Sequence, residues 1–389
     1  MMSMNKVIVI GIIAIAVILI SLLGFMSLNV NRSSNVQYAR VNLQTAPSSQ
    51  VLLSPVQVQA STGLSSYVVG SWIEVSNLSG LFPTQSATSN QPQLSLFFNN
   101  LSKIVGITYA EVLIHNSTST ATLLVSKISS QNVTNDFRRL ALVLVAGYNF
   151  NVNKSGNFEY VYGNISNTGL ALGYDGKYFV ASVVTGSNNL DQSALSLLLN
   201  QYQTAVSSQL PLVQPPSIFQ AVSNMKQVLW AYVNFTALRS VNISAYSTHL
   251  NYNNFANMNG LNAGLMREYN NTRILMNVST GYLTLYANDS SLLLIEVTQY
   301  NTQSQAMNQY NSTLRFYQSL HNLTGQNYVV SQGVENNAPY FIVNPNPFNN
   351  NTLILVANSG SYLISETNYA KVASQSLLLN YLQGLLSQL

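Results

Sequence analysis

An uninterrupted apolar run near the N-terminus constrains this chain more than any other feature. Residues 7–28 read VIVIGIIAIAVILISLLGFMSL, which is 22 residues without a charged side chain. About 20 apolar residues in a helix span the hydrocarbon core of a bilayer. The run therefore predicts one transmembrane helix in contact with the lipid bilayer. Lys6 precedes the run and the next basic residue is Arg32, a distribution that favours an N-terminus inside and a body outside.

Two other interpretations of the run involve cleavage of the chain. A cleaved signal peptide has a shorter apolar region of about 7–15 residues, followed by small residues at the cleavage site, and the segment Gly24–Asn29 offers no such site. A pilin-type leader is cut before the apolar stretch, but Val7 and Ile8 stand where a small residue is expected. We therefore expect residues 1–29 to be a retained signal-anchor. The protein is then single-pass in the cell membrane, with its C-terminal body extracellular.

The rest of the chain has very few charges for its size. Charged residues make up 7% of the 389 residues, against about 25% in ordinary soluble proteins. Asn, Ser, Thr and Gln take over the polar surface, while 23 tyrosines and 14 phenylalanines supply material for packed β structure. Because carboxylates lose their charge below about pH 4, such a surface suits acidic surroundings. In this respect the composition resembles that of envelope proteins from thermoacidophilic archaea.

Charge and cysteine content exclude several classes of function. The net charge of +4 is spread along the chain without a run of Lys or Arg, and nucleic-acid binding needs a concentrated basic face. The chain has no cysteine, which removes disulfides, thiolate nucleophiles and zinc ribbons. We therefore expect no nucleic-acid partner.

N-x-[ST] sequons are unusually frequent and occur in both halves of the chain. Each is a potential N-glycosylation site in an exported protein, and glycans would solvate a surface that has little charge. The alternative is accident in an Asn-rich sequence. The predicted sites are Asn31, Asn77, Asn100, Asn116, Asn132, Asn153, Asn164, Asn234, Asn242, Asn270, Asn277, Asn288, Asn311, Asn322 and Asn350.

Similar landmarks recur in the same order in the two halves, which predicts an internal duplication. The only tryptophans, Trp72 and Trp230, each begin a W-x-x-V string that is followed closely by a sequon. A period this long indicates two related domains rather than a solenoid. The other matched segments are Thr122–Val125 with Leu292–Ile295, Gly176–Ser182 with Gly360–Glu366, and Ser196–Asn200 with Ser376–Asn380.

The local patterns in each half predict hairpins and helices. Asp175-Gly176 and Ser359-Gly360 are hairpin-turn signals between alternating apolar runs. Helical spacing of apolar or polar residues predicts helices at Gln131–Val145, Gln192–Leu210, Thr302–Leu320 and Tyr369–Leu389. The fold class is therefore α+β: an N-terminal transmembrane helix followed by two related domains, each an antiparallel sheet with helices packed on one face. The predicted segments are an anchor (1–29), a polar spacer (30–66), a first repeat (67–210), a Pro-containing linker (211–228) and a second repeat (229–389).

Sequence patterns of catalytic, metal or cofactor sites are missing. His115, His249 and His321 are scattered without metal-ligand spacing, and the sequence has neither a G-x-S-x-G elbow nor a Gly-rich phosphate loop. Glu111, Glu159 and Glu296 lie in strand-like runs, where they face either a cleft or solvent. The Asn-rich segment Tyr246–Tyr269 has no counterpart in the first half, and loops of this kind often bind ligands. We predict no enzyme, no catalytic residue, no metal and no cofactor.

These features predict a membrane-anchored, N-glycosylated extracytoplasmic envelope protein that acts through binding or scaffolding. Other envelope or membrane proteins are the expected partners, and no ligand is identified. One alternative is a tethered solute-binding protein of a transporter for sugars or peptides, although the hairpins favour antiparallel pairing over the parallel sheets usual in that class. A secreted acid hydrolase is the third alternative, and it would need a pair of carboxylates in a pocket.

Overall fold

A computed structural model describes most of the chain that follows the predicted anchor. The described residues are 51–76, 105–128, 133–239 and 277–389, apart from 212, 214, 289 and 349. The predicted transmembrane run, residues 7–28, and the Asn-rich insertion, residues 246–269, lie outside them. In the described part of the chain, no helix is long and apolar enough to cross a membrane.

The described strands join edge to edge in one antiparallel sheet of fourteen. Seven belong to the first half: β1 (Val68–Val75), β2 (Val105–Ile114), β3 (Thr120–Ile128), β4 (Asn151–Ser155), β5 (Phe158–Ile165), β6 (Thr168–Tyr174) and β7 (Tyr178–Thr185). Seven belong to the second half: β8 (Lys226–Asn234), β9 (Val278–Ala287), β10 (Ser291–Tyr300), β11 (Val329–Glu335), β12 (Ala338–Val343), β13 (Thr352–Ser359) and β14 (Tyr362–Ala370). The predicted antiparallel sheet with helices is confirmed.

The order of the strands is the same in both halves when it is read outwards from the centre. From β1 the sheet continues through β2, β3, β7, β6 and β5 to β4, and from β8 through β9, β10, β14, β13 and β12 to β11. The halves meet where β1 pairs antiparallel with β8, with Ile73 opposite Ala231. Strands β4 and β11 are the two edges of the sheet in the described part of the chain.

The two predicted hairpin turns lie where the sequence placed them. The Asp175 side chain accepts hydrogen bonds from the backbone N–H groups of Lys177 and Tyr178, each at 2.7 Å, and Gly176 has a φ of +98°. Gly360 occupies the matching turn between β13 and β14, with a φ of +57°. Side chains with a Cβ rarely adopt these angles, so the two glycines allow the chain to reverse.

Six helices complete the described fold, and polar caps mark where several of them begin. They are α1 (Pro55–Thr62), α2 (Val133–Tyr148), α3 (Leu190–Ser208), α4 (Phe235–Leu238), α5 (Gln303–Thr324) and α6 (Gln375–Leu386). Ser54 and Gln57 form a capping box at α1, and the Ser374 side chain accepts from Leu377 N at the start of α6. The closing helix was predicted from Tyr369, but Tyr369 belongs to β14 and the Ser374 cap places the helix start six residues later.

Helices cover both faces of the sheet, so the prediction of helices on one face is wrong. Residues of α3 and α6 pack with Trp72 and Leu123 in one core layer. Residues of α2 pack with Ile73 and Leu124, the sequence neighbours of those two residues, in the opposite layer. Helix α5 lies on the same side as α2. The physical reason is that strands such as TATLLVSKI of β3 bury nearly every residue, and a strand that is apolar on both faces needs cover on both.

Two segments predicted to be connections are packed parts of the body. Val51, Leu52 and Leu53, placed in the predicted spacer, are at most 1% exposed. The amide of Gln201 in α3 accepts from Leu53 N at 3.0 Å and donates to the Val51 carbonyl at 2.8 Å. In the predicted linker, Ile218 and Phe219 are buried in the same core layer, and β8 begins at Lys226. The short apolar run Val51–Leu53 and the pair Ile218–Phe219 were the signals of this burial.

Candidate functional site

Three glutamates lie buried in the sheet, on the face that α3 and α6 cover. Glu74 is 3% exposed, Glu111 is 1% exposed and Glu366 has no exposed surface. Burial disfavours the charged form of a carboxyl group, and buried carboxyls are uncommon unless they are paired. In a chain with eleven acidic residues, this placement makes the buried face the first candidate for a functional site.

Glu74 lies at the junction of the two halves. Its Oε2 atom accepts hydrogen bonds from Trp230 Nε1 and from Val213 N, both at 3.2 Å. Burial raises its pKa to about 7, against these two hydrogen bonds, which lower it. Glu74 therefore ties β1, β8 and the connecting segment 211–225 together, and its charge state changes near neutral pH.

Aromatic residues surround Glu74. The ring centroids of Trp72 and Trp230 lie 4.2 Å apart across the junction, and Trp72 also contacts Tyr109 at 5.9 Å. The Tyr109 hydroxyl donates to the Pro211 carbonyl, next to the contact that Glu74 makes with Val213. The start of the connecting segment is thus fastened to the sheet at two neighbouring points.

Glu111 is a diagonal neighbour of Glu74. In the β1–β2 ladder Glu74 lies opposite Tyr109, and Glu111 lies opposite Trp72. Diagonal neighbours on one face have Cβ atoms about 7–8 Å apart. The two glutamates therefore lie on the same face of neighbouring strands, and neither carboxyl group is a cause of the other's pKa shift. Burial raises the pKa of Glu111 to about 8, and its Oε2 atom has no hydrogen-bond partner within the described residues. Both groups lie inside the core rather than in an open cleft.

Glu366 shows a difference between the two halves. The paired residues can be followed strand by strand from Trp72 in the first half and from Trp230 in the second. The third strand outwards from each tryptophan then has Ser182 in β7 and Glu366 in β14 at the equivalent position. Ser182 Oγ donates to the Ala194 carbonyl of α3 at 2.6 Å. Both carboxyl oxygens of Glu366, by contrast, have no partner among the described residues, and burial raises its pKa well above the usual value.

A polar groove between α1 and α3 is the second candidate site. Its volume is about 630 Å³. One Leu and one Ala lie among amide and hydroxyl side chains, and the Asn200 amide donates to Ser61 Oγ at 3.1 Å at its rim. Such a lining offers donors and acceptors but no charge to a neutral polar ligand. The lining residues are Leu53, Gln57, Ala60, Asn200, Gln203, Thr204, Ser207 and Ser208.

The residues that the sequence singled out do not form one site. Glu111 is buried, whereas Glu159 is partly exposed and paired with Arg138 and Lys154 at 2.6 and 3.3 Å. The pKa of Glu159 is lowered to about 2 by its hydrogen bond to Arg138. Glu296 lies on the opposite face from Glu111, between Ile295 and Val297 of the first core layer. Sequence reasoning missed Glu74 and Glu366, although Glu74 lies within the apolar run that follows Trp72.

The histidines are separate from these carboxyls. The His115 ring lies 5.7 Å from that of Tyr67, and His321 Nδ1 is 3.1 Å from the Gln326 carbonyl. His249 lies outside the described residues. Within the described ranges, no group of three or more His, Asp or Glu side chains is arranged to hold a metal ion.

Nine of the fifteen sequon asparagines lie in the described residues, and none of the nine is buried. Five are exposed, and they occur in the β2–β3 turn, in β4, in β5, in the last turn of α5 and in the β12–β13 connection. These five are Asn116, Asn153, Asn164, Asn322 and Asn350. Asn234, Asn277, Asn288 and Asn311 are partly exposed, and Asn31, Asn77, Asn100, Asn132, Asn242 and Asn270 lie outside the described residues.

Comparison with known protein families and with curated proteins finds no match. Among solved structures, the chain is similar to three crystal forms of the protein TP0453. The TM-scores are 0.34 for form I and 0.32 for forms III and IV, at 10%, 11% and 10% sequence identity. The similarity covers 84–85% of this chain and 96–98% of TP0453.

Proposed function

We propose that this chain is an N-glycosylated envelope protein, anchored by residues 7–28, whose extracellular body acts through binding or scaffolding. The body is a broad sheet covered by helices on both faces, with two edges and a polar surface of low charge. Other envelope or membrane proteins are its proposed partners. We propose no catalytic residue, metal or cofactor.

The placement of the sequons carries this proposal. Oligosaccharyl transfer requires an asparagine side chain that is accessible, and five of the nine described sequon asparagines are exposed. They are spread over turns, strand, helix and connection in both halves. A chain of this composition would have sequons by chance, but glycans at these positions would place the body outside the membrane.

Mass spectrometry of the intact protein from its native membranes tests the proposal. We expect glycopeptides that contain Asn116, Asn153, Asn164, Asn322 and Asn350, and co-purification of envelope proteins in mild detergent. Unmodified peptides at all five positions would remove the main support for an extracellular body. Turnover of polysaccharide or peptide substrates by the purified protein would contradict a purely structural role.

We further propose that the two halves are related by duplication. The shared strand order and the matched register support this, because they give Trp230, Tyr282 and Tyr362 the places of Trp72, Tyr109 and Tyr178. The register corrects one of the sequence matches, since it aligns Thr122–Val125 with Leu294–Val297 rather than with Leu292–Ile295. A duplicated scaffold would present similar surfaces at two places.

A tethered solute-binding protein is the second candidate, and the α1–α3 groove favours it. Its amide and hydroxyl lining would suit a sugar or a short peptide. A thermal-shift screen of the purified protein separates the two roles, because a ligand that binds the native state raises the melting temperature. A shift that is lost in Asn200→Ala but kept in Asn322→Ala, outside the groove, would identify the groove as the binding site. The acid hydrolase has less support, because Glu74 and Glu111 are at most 3% exposed.

A further inference from the structure

The two edges of the sheet differ in how they are protected from other strands. An edge strand presents unpaired backbone N–H and C=O groups, and proteins usually cover or charge such an edge. Within the described residues, β4 and β11 are these edges. The contrast between them points to an interaction surface.

Strand β4 carries two protective features. Lys154 lies within the strand and pairs with Glu159, which Arg138 also holds through two hydrogen bonds of 2.6 and 2.8 Å. Three of the 26 Lys, Arg, Asp and Glu residues therefore lie together at this edge. The sequon Asn153 is also exposed within β4. Charge alone disfavours strand addition here, whether or not a glycan is present.

Strand β11 lacks the charge cluster and the sequon, and its protection is limited to a shift in register with β12 at Val330. Its sequence, VVSQGVE, contains no lysine, no proline and no sequon, and its single charged residue is at its C-terminal end. Val330 and Val334 are 45% and 68% exposed. Two further apolar side chains are exposed in the segments before β11 and after β12: Leu323 in the last turn of α5 is 80% exposed, and Phe348 in the β12–β13 connection is 82% exposed.

The strand is also suited to pair with itself. The register of β11 with β12 is regular from Ser331 to Glu335 and shifts at Val330. An antiparallel pair with its two-fold axis at Gln332 would bring Val334 of each copy next to the Val330 end of the other. Apolar pairs opposite each other across a ladder stabilise it, and a two-fold contact uses the same patch on both copies. The molecule already contains this type of contact, since β1 and β8 hold matching places in the two halves and pair antiparallel around Ile73 and Ala231.

We propose that β11 is a self-association edge, through which two copies of this chain join their sheets antiparallel into one continuous sheet. The contact combines the backbone ladder with burial of the exposed valines. This self-association requires only the exposed edge of the sheet, and it is independent of the extracellular location and the glycosylation proposed above.

Cysteine cross-linking tests this directly because the natural chain has no cysteine. In the full-length protein purified in mild detergent, Gln332→Cys at the two-fold axis should form a disulfide-linked dimer under mild oxidation. Val152→Cys is the matched control, because Val152 has the corresponding place in β4 and is 61% exposed. Equal cross-linking of both variants, or of neither, would overturn the proposal.

A second measurement does not depend on disulfide geometry. Light scattering coupled to size-exclusion chromatography should give a dimer mass for the natural chain and a monomer mass for Val334→Lys, with at least a tenfold loss in dimer affinity. Val152→Lys should remain dimeric. A monomer for the natural chain at high protein concentration would contradict the proposal, and so would a dimer lost in Val152→Lys but kept in Val334→Lys.

Discussion

At the scale of single residues, the buried carboxyls decide how stability depends on pH. The pKa of Glu74 is raised to about 7 in the folded protein from an ordinary value near 4.5. The folded state therefore binds the proton more tightly than the unfolded state between these values. By linkage, the stability present below about pH 4.5 is lost as the pH rises through 7. Through Glu74, a lower pH favours the folded state.

Replacing Glu74 by Gln should remove part of this dependence. The amide oxygen can still accept from Trp230 and Val213, but the side chain cannot ionise. The pKa difference corresponds to about 3 kcal/mol as an upper estimate. We expect Glu74→Gln to leave the free energy of unfolding nearly unchanged at pH 4 and to raise it at pH 8, as measured by chemical denaturation.

Glu159→Gln is the control for this experiment. The pKa of Glu159 is lowered to about 2, chiefly by Arg138, so its contribution is present above pH 4.5 and is lost as the pH falls towards 2. Its replacement should lower stability slightly at neutral pH, which is the opposite sign. A Glu74→Gln protein that is no more stable than the natural chain at pH 8 would contradict the raised pKa of Glu74.

Glu366 offers a second test at the same scale. Both of its oxygens are buried without a partner in the described residues, and an unsatisfied buried polar group costs about 1–3 kcal/mol. Glu366→Met, of similar volume, should therefore raise the melting temperature at pH 7. A large loss of stability instead would mean that the carboxyl has a partner, such as a bound ligand, in the native protein.

At the scale of elements, residues 211–225 connect the two halves and pack against one face of the sheet. Tyr109→Phe removes the hydrogen bond to the Pro211 carbonyl and should cost about 1 kcal/mol. We expect faster limited proteolysis within residues 211–225. Tyr178→Phe is the matched control, since the Tyr178 hydroxyl has no partner among the described residues. Equal proteolysis rates in the two variants would show that the Tyr109 hydrogen bond does not keep residues 211–225 packed against the sheet.

Short-range chemistry determines which elements the sequence predicted well. The hairpin at Asp175-Gly176 depends on a turn glycine and on an Asp side chain that bonds its own backbone neighbours, and both are local. The capped starts of α5 and α6 are local as well. What covers each face of a strand is a long-range property, so the sequence predicted the helices α2 and α3 but assigned them to the same face.

The candidate sites were harder to predict for the same reason. A glutamate in a strand-like run looks the same whether it faces water, as Glu159 does in part, or the core, as Glu111 does. The diagonal placement of Glu74 and Glu111 depends on the register between β1 and β2. The groove between α1 and α3 combines residues from distant segments, and one of them was assigned to a spacer.

At the scale of the whole molecule, the two halves form one sheet through a single ladder. The β1–β8 pairing and the Trp72–Trp230 contact are the main links that the strands make across the junction. We expect residues 51–210 and 211–389, co-expressed as separate chains, to co-purify as a stable complex. Trp72→Ala should weaken that complex by at least tenfold, as measured by affinity pull-down, because it removes a large buried ring.

Tyr148→Ala is the control for this experiment, because Tyr148 lies at the end of α2 and is 52% exposed. It should leave the complex intact. Two halves that are each folded and monomeric, without affinity for one another, would contradict the role of the junction and would favour two independent domains.

The central ladder also determines the order of events during synthesis. Most strand pairs form between segments close in sequence, whereas Glu74 and Trp230 at the junction are 156 residues apart. Local contacts form fast and distant pairings form late, because loop closure must come first. Until β8 has been synthesised, the edge of β1 that later pairs with β8 is therefore exposed. During this interval, we expect pairing of β1 with another nascent chain to compete with its pairing with β8 and to lower the yield of native protein.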